Sequence, residues 1–392
     1  MITYTATSLL LLSAASAAAV RRTSHPHGLC HEFDVAITAE APGAVYDLPQ
    51  VVDDITTVQW AVQSDTWSWK ARPDHGILEN ITISGTYNIH AQLCVPTGPD
   101  RKTNTLQIAT HGGHYDRRYW DSEYKPEEHS YVYASLAAGY SILTYDRLGA
   151  GKSDIPDAYT GAQTALELDI LRQITKKARD GTLVPAASWS HGGQDIPTKP
   201  DKIVHIGHSF GSVVTTAFLA TYPNETDGGI ITGFALNKYF GMTGFSSWYA
   251  NYAGTAGWDR GSGYVVNQKS GIQVVFFGGD PKTAFTQELL DYGDSIKQPV
   301  PIGELASGAQ IIGRPGPGLK APVQFVLPEF DFFICGGDCK GVTDVSTLRQ
   351  TWPAASDLEL VIQPNTGHAL PLHNNATAGF QLSFDFLARN GL

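Results

Sequence analysis

The strongest chemical signal in the chain is the pentapeptide Gly207-His208-Ser209-Phe210-Gly211. A serine hydroxyl is a weak nucleophile until the backbone holds it out towards a base that can take its proton. The apolar run Ile203–Ile206 precedes the pentapeptide, and the helix-like stretch Ser212–Tyr222 follows it and stops at Pro223. A strand-to-helix turn of this kind projects the hydroxyl, while the flanking glycines tolerate its strain and crowding. A chain with 40 glycines produces the pentapeptide by chance often enough that the flanking elements carry the argument. The chemistry expected of such a serine is attack on a carbonyl carbon.

That attack needs a base, an acid behind the base, and donors for the charge that develops on oxygen. In strand–helix architectures built around this turn, the chain order is serine, then acid, then histidine. After the apolar run Val323–Leu327 come Glu329 and Asp331. After Leu358–Ile362, the turn Pro364-Asn365-Thr366-Gly367 presents His368. Asp331 is the expected acid, with Glu329 a close alternative and Asp338 a distant one; His368 is the expected base, with His373 behind it. The donors expected for the oxyanion are the backbone N–H groups of Phe210 and Gly113. Gly113 lies in His111-Gly112-Gly113-His114, directly after the strand-like Leu106–Thr110, and His114 is the alternative donor there. A second triplet, His191-Gly192-Gly193, follows a polar loop instead of a strand. Gly149-Ala150-Gly151-Lys152-Ser153 looks like the end of a phosphate-binding loop, but Asp146 stands where the first glycine is required, which excludes a nucleotide site.

Further short apolar runs at Ser141–Tyr145 and Ile230–Leu236 alternate with helical segments. Ala162–Arg179 places Leu166, Ile170 and Ile174 on one face and stops at Gly181, and Ala376–Arg389 brings Phe380, Phe384 and Leu387 into register. Such alternation predicts an α/β fold, a mostly parallel sheet with helices on both faces. Upstream, Ile81–Val95 alternates like a strand and predicts an antiparallel pair between Cys30 and Asp100. Lys238–Lys320 is too long for an ordinary connection. Its first forty residues hold ten aromatics, against 10% aromatic residues in the chain as a whole. It is read as a lid over the carboxyl edge of the sheet, a satellite core, or both, and the expected pocket residues are His114, Tyr239, Phe240 and Trp248. The expected division is 1–19 signal peptide, 20–102 N-terminal extension and first strands, 103–237 with 321–392 catalytic core, and 238–320 lid.

The bulk properties fix the setting. With 392 residues, 42% hydrophobic and 17% charged, the chain can bury a large core. A formal net charge of −11 leaves no basic face for nucleic acid or an anionic membrane. Residues Ser8–Val20 form an uncharged apolar run rich in small residues, the pattern of a secretory signal peptide, and no other segment is long and apolar enough for a membrane span. Four cysteines fit an oxidising compartment and allow three pairings, of which Cys30–Cys94 and Cys335–Cys339 are favoured. In the second pair the two glycines of Cys-Gly-Gly-Asp-Cys let the backbone turn back. One C-x3-C without further ligands is a poor zinc site, so no metal is expected. Sequons at Asn80, Asn224 and Asn375 agree with export. No cofactor is required, the expected partner is a small-molecule substrate, and nothing in the sequence signals an oligomeric state.

Together, Gly-His-Ser-Phe-Gly, the His-Gly-Gly loop, YDRLGAGKSD (Tyr145 to Asp154) and the Thr366-Gly367-His368 turn resemble the α/β-hydrolase superfamily. The stretch from Tyr119 to Asp154 is similar to a group of secreted fungal members. The resemblance runs from about Leu106 to the C-terminus, apart from Lys238–Lys320. It implies a triad of Ser209, Asp331 and His368 with an oxyanion hole at Gly113 and Phe210. Epoxide hydrolase and haloalkane dehalogenase relatives carry aspartate at the nucleophile position, so Ser209 argues against those activities. The expected function is a secreted esterase acting on apolar or aromatic esters or lactones. The alternatives are a cyclase, acyltransferase or lyase on the same fold, and a catalytically silent binding protein.

Overall fold

The computed structural model describes residues 21–98, 102–184, 190–191, 194–195 and 199–392. The expected signal segment lies outside them, as do residues 192–193 of the second His-Gly-Gly triplet, 185–189 and 196–198. The core is a nine-stranded sheet: β1 (Arg21–His25), β2 (Gly28–Tyr46), β3 (Ile77–Pro96), β4 (Lys102–Thr110), β5 (Tyr140–Tyr145), β6 (Lys202–His208), β7 (Gly228–Thr232), β8 (Val323–Pro328) and β9 (Leu358–Gln363). The spatial order is β1-β2-β3-β5-β4-β6-β7-β8-β9. From β5 to β9 all neighbours run parallel, while β1, β2 and β3 form an antiparallel margin that joins at β5.

The inner parallel strands are buried on both faces because helices cover both, while the edge strand β9 is half-buried between its ends. β5 and β7 are buried along their whole length, as strands in a doubly covered sheet must be. On one face lie the helix Tyr131–Ala137 and the closing helix Ala376–Arg389, whose Phe380, Phe384 and Leu387 pack with Tyr131, Tyr140 and Ile142, while α1 (Asp54–Asp65) belongs to the cap described below. On the other lie α2 (Thr164–Asp180) and α3 (Phe210–Thr221), packed through Leu166, Ile170, Ile174, Val214 and Phe218. α2 ends where Gly181 takes φ +71, a left-handed turn that glycine adopts without penalty. The long β2 alternates, burying Phe33, Val35, Ile37, Ala39 and Ala41 towards the α2 side. Cys30 and Cys94 are direct cross-strand neighbours in β2 and β3 and form a disulfide; Cys335 and Cys339 form the second.

Two boundaries depart from the sequence expectation. The run Ile230–Leu236 is not strand throughout: pairing ends at Thr232, and Gly233 turns at φ +57 beneath the His208 ring. A Cβ there would lie 2.8 Å from His208 Cε1. Phe234 and Ala235 are then buried as a turn, and Phe234 becomes cavity wall.

The second departure concerns the lid. Residues 238–320 contain a small three-stranded antiparallel sheet (Ala250–Tyr252, Tyr264–Asn267, Val300–Pro301) and the helices Lys269–Phe276, Gln287–Ser295 and Ile302–Ala306. This region does not build the cap alone. The 47–75 segment between β2 and β3 supplies α1, whose Trp60 stacks on Phe245 at 5.2 Å between ring centroids. Both ends of α1 are tied in: Asp54 accepts from Tyr252 N at 2.9 Å, and Asp65 accepts from Phe245 N at 2.9 Å and Ser246 N at 2.7 Å.

Among the described residues no helix is long and apolar enough to cross a membrane.

Candidate active site

Ser209 sits between the last residue of β6 and the first of α3, with φ +52 and ψ −117. A residue with a Cβ is disfavoured there, so the surroundings must impose it. Ser209 N donates to Thr232 O at 3.0 Å, and Ser209 O accepts from Ser212 N and Val213 N. The flanking glycines are required by crowding and not by their own dihedrals. A Cβ at Gly207 would meet Gly211 O and Ser212 Cα at 2.6 Å, and one at Gly211 would meet Thr110 O at 2.2 Å. His208 holds the turn from below: its Nδ1–H donates to Thr232 Oγ1, whose hydroxyl donates to Gly207 O, and its ring stacks on Tyr119 at 4.3 Å. Burial keeps His208 well below the usual histidine range and therefore neutral.

The structure brings Ser209, His368 and Asp331 together. Ser209 Oγ–H donates to His368 Nε2 at 2.7 Å, and His368 Nδ1–H donates to Asp331 Oδ2 at 2.6 Å. Asp331 is fully buried, and its second oxygen accepts from Ile334 N at 2.8 Å, capping the one-turn helix Phe332–Cys335. With both oxygens committed, the carboxylate cannot rotate away from the imidazole.

The alternatives are occupied elsewhere. Glu329 pairs with Lys340 and accepts from Asn365 N at 2.7 Å, clamping the acid loop to the histidine loop. Asp338 is exposed and caps Lys340 N in its own turn. His373 donates from Nδ1 to Ala369 O, and its Nε2 accepts from Gly367 N at 2.9 Å and Gly278 N at 3.3 Å. It braces the loop that presents His368, and burial pushes its pKa down to about 4.

Gly113 and the N-terminal residue of α3, Phe210, line the same cavity as Ser209 and His368. As the first helical residue, Phe210 has no intrahelical acceptor for its N–H. Gly112 lets the loop approach, since a Cβ there would lie 2.9 Å from Ser209 Cβ. His111 fixes this loop: its Nδ1–H donates to Gly112 O at 2.8 Å and its Nε2 accepts from Arg147 N at 2.9 Å. Burial, helped by the Arg147 charge, pushes the His111 pKa down to about 3, so the neutral tautomer persists.

The Asp146–Ser153 segment behaves as a brace. Asp146 accepts from Arg117 N and Lys152 N, both at 2.9 Å, so Lys152 N, an amide that a phosphate loop would offer, serves an internal carboxylate. Arg147 lies under the Phe210 ring at 4.8 Å and makes a bidentate, buried pair with Glu304 at 2.8 and 3.1 Å. Glu167 is buried beside them, and burial pushes its pKa up to about 8 against the pull of Arg147.

The cavity above Ser209 measures about 350 Å³ and is mostly apolar. Of the expected pocket residues, His114, Phe240 and Trp248 line it. Tyr239 does not: it is half-buried outside the cavity, its N–H donates to Asn237 Oδ1 and its ring lies under the Lys238 ammonium at 4.9 Å. The tight Asn237 turn swings it away from its neighbour Phe240. Sequence reasoning missed Val213, Phe234, Phe276, Phe333 and Ile334, which close the walls, and Asp65 and Lys70, which reach the cavity from α1 and the turn after it. Val213, Phe333 and Ile334 carry a signal only through their places beside Ser209 and Asp331, and Phe276 only as one of the lid aromatics; Phe234, Asp65 and Lys70 carry none. Among the described residues no cluster of three or more histidine, cysteine, aspartate or glutamate side chains is disposed to hold a metal ion.

A sequence profile described as the Alpha/beta hydrolase family matches residues 108–380. Among solved structures the chain resembles a carboxylesterase from the thaumarchaeon Nitrososphaera gargenis, at 15% identity and TM-score 0.51 over 78% of this chain and 96% of that one. It also resembles an esterase from Thermogutta terrifontis (14% identity, TM-score 0.46, 78% and 95% covered) and a methylesterase from Arabidopsis (16%, 0.46, 72% and 99%). At these identities the likeness is one of fold. No curated protein sequence matches.

Proposed function

The chain belongs to the alpha/beta hydrolase family, and on that premise we propose that it is a serine hydrolase that cleaves carboxylic esters through an acyl-enzyme. The observation that carries this reading is the hydrogen-bond chain Asp331–His368–Ser209, at 2.6 and 2.7 Å, opening on an apolar cavity. Ser209 Oγ attacks the ester carbonyl carbon while His368 Nε2 takes its proton, and Asp331 stabilises the imidazolium. The N–H groups of Phe210 and Gly113 receive the oxyanion. His368 passes the proton to the leaving alcohol, and water repeats the sequence to free the acid. The lining favours esters or lactones with apolar or aromatic groups.

Hydrolysis of p-nitrophenyl esters of graded chain length, with Ser209→Ala as the control, tests the reading. In heavy-oxygen water the released acid must carry one solvent oxygen; acid without it assigns the chain to a non-hydrolytic reaction instead. A fluorophosphonate that leaves folded protein unlabelled at Ser209 favours a binding protein.

Export belongs to the same proposal. Two disulfides favour an oxidising compartment. Asn80 and Asn224 are exposed, while Asn375 is half-buried and donates to Pro364 O at 2.9 Å. Endoglycosidase treatment of protein secreted from a eukaryotic host should lower its apparent mass.

A further inference from the structure

A second cavity, of about 160 Å³ beside the 350 Å³ over Ser209, lies behind the first, and among the described residues Phe234 alone lines both. Three segments pass from one cavity to the other within a few residues. On α3, Val213 lines the first and Thr216, on the same helix face, the second; after β7, Phe234 is followed by Leu236 in the second; and Ile312 of the first is followed by Gly313 of the second. The two cavities therefore lie end to end along α3, with Phe234 between them. The turn that carries Phe234 is fixed: Gly233 N donates to Val326 O at 2.9 Å, and Asn237 Nδ2 donates to Ala235 O at 2.9 Å and to Ile334 O at 3.1 Å. Its ring is buried and meets Phe240, a wall of the first cavity, edge to face at 5.7 Å. In the second cavity Phe325, Leu348 and Trp352 are apolar wall. The Thr216 hydroxyl there donates to Val213 O at 3.0 Å, and the Arg314 guanidinium to Thr221 Oγ1 at 3.2 Å and Gln310 O at 2.9 Å. With those polar groups turned to protein acceptors, the space suits a hydrocarbon chain.

We propose that Phe234 is the residue that sets substrate chain length, a partition that confines one hydrocarbon arm of the ester to the cavity over Ser209 and keeps it out of the cavity behind. This rests on the esterase reading of the same site. Each methylene that an arm buries against the apolar wall should raise kcat/KM about four-fold. The gain ends where the arm meets the Phe234 ring, because further methylenes must displace a packed side chain or stay in water. Removing the ring opens nearly half as much room again, 160 Å³ added to 350 Å³, and the gain resumes.

Two ester series read the limit: p-nitrophenyl esters from acetate to palmitate for the acyl arm, and n-alkyl acetates from ethyl to dodecyl for the alcohol arm. In one of them kcat/KM of the unmodified enzyme should pass through an optimum and fall. For an ester four methylenes beyond that optimum, Phe234→Ala should raise kcat/KM relative to the optimal ester about ten- to hundred-fold. Adding Thr216→Leu, which fills the second cavity, should cancel most of the gain. Phe234→Leu makes the same comparison, with a smaller shift, if Phe234→Ala does not fold. No fall along either series, an optimum that Phe234→Ala leaves in place, or a gain that survives Thr216→Leu would each overturn the proposal. Calorimetric titration of Ser209→Ala with n-alkanols from hexanol to dodecanol reads the same limit without chemistry. A limit that Phe234→Ala moves there, with no ester turned over by the unmodified enzyme, would leave the partition standing and overturn the hydrolase reading. Ester turnover with an unmoved limit would do the reverse.

Discussion

The two walls of the cavity are held in place by different physics. On the sheet side, Ser209, Asp331 and His368 stand in turns at strand ends, each fixed by backbone hydrogen bonds: Ser209 N to Thr232 O, Ile334 N to Asp331, Gly367 N to His373. On the cap side, segments far apart in sequence meet through rings and carboxylates, with Trp60 on Phe245 and Asp65 accepting from Phe245 N, 180 residues away. Backbone hydrogen bonds set atoms to within fractions of an ångström, as acid–base chemistry requires. Packed rings set area and shape. The sheet wall should therefore govern rate, and the cap wall binding and stability.

The sharpest break of that division would come from the nucleophile. Ser209→Ala should lower kcat for p-nitrophenyl esters on the order of 10⁴-fold or more while Tm stays within a few degrees. A loss under tenfold would remove the sheet wall from the chemistry. The acid comes next: Asp331→Asn should cost on the order of 10⁴-fold in kcat, because the amide no longer enforces the His368 tautomer. Glu329→Gln should cost less than tenfold in rate but lower Tm, since its carboxylate joins Lys340 to Asn365 N and touches no reacting group. Equal rate losses in the two would show that position in the loop, not contact with His368, matters.

The same division explains what the sequence made legible. The three residues of the Asp331–His368–Ser209 hydrogen-bond chain were readable because each lies in a turn whose neighbours announce it: apolar strand, glycine, helix. Choosing Asp331 over Glu329 needed only the expected distance from the strand end, although both carboxylates are ordered in the fold. The closing helix Ala376–Arg389 was readable to its ends because its apolar period is uninterrupted. The cap was legible only as aromatic enrichment. Of its ten aromatics only Phe240, Phe245, Trp248 and Phe276 line the cavity, and neighbours such as Tyr239 and Phe240 point opposite ways. That α1 completes the cap depends on contacts across some two hundred residues, which no local pattern encodes. The brace formed by Arg147 and Glu304 escaped notice for the same reason.

Acidification probes the sheet wall as a whole. Burial holds His111, His114 and His205 down to about 3 and His373 to about 4, against 6.5 for a free histidine. Below pH 6.5 the unfolded chain takes up protons that the folded chain refuses, so stability falls as pH falls towards those depressed values. Each histidine contributes up to about 1.4 kcal/mol per pH unit to the slope. Glu167 acts with the opposite sign. Its folded pKa of about 8 lies above the ordinary 4.5, so it takes stability away as pH rises between those values. Tm should therefore drop steeply between pH 6.5 and 4.5, and Glu167→Gln should raise Tm at pH 8 with little effect at pH 4.5. A flat profile would mean that these histidines titrate in the native state.

The disulfides test the comparison at smaller amplitude. Cys30–Cys94 closes a separation of 64 residues and Cys335–Cys339 one of 4, so loop-closure entropy assigns them roughly 4 and 2 kcal/mol. Replacing Cys30 and Cys94 by serine should lower Tm more, with kcat at saturating ester unchanged. The same change at Cys335 and Cys339 should lower Tm less but reduce kcat several-fold, because that loop carries Asp331 and the cavity residues Phe333 and Ile334. Activity assays on the two double mutants, beside thermal melts, decide whether the acid loop needs its bridge.

The gentlest test falls on the cap. Asp65 accepts two backbone N–H groups and lies beside the Lys70 ammonium at 3.7 Å. Asparagine keeps one acceptor oxygen, so Asp65→Asn leaves one of the two N–H groups unpaired and removes the charge from the other bond. The cost should be about 1–2 kcal/mol, read as a Tm lower by a few degrees for a chain of this size. Because Phe245 and Asp65 both line the cavity, the loosened turn should also raise KM for apolar esters about two- to five-fold at nearly constant kcat. A fall in kcat with KM unchanged would mean that the cap positions the reacting groups after all, and the separation between a wall for rate and a wall for binding would not hold.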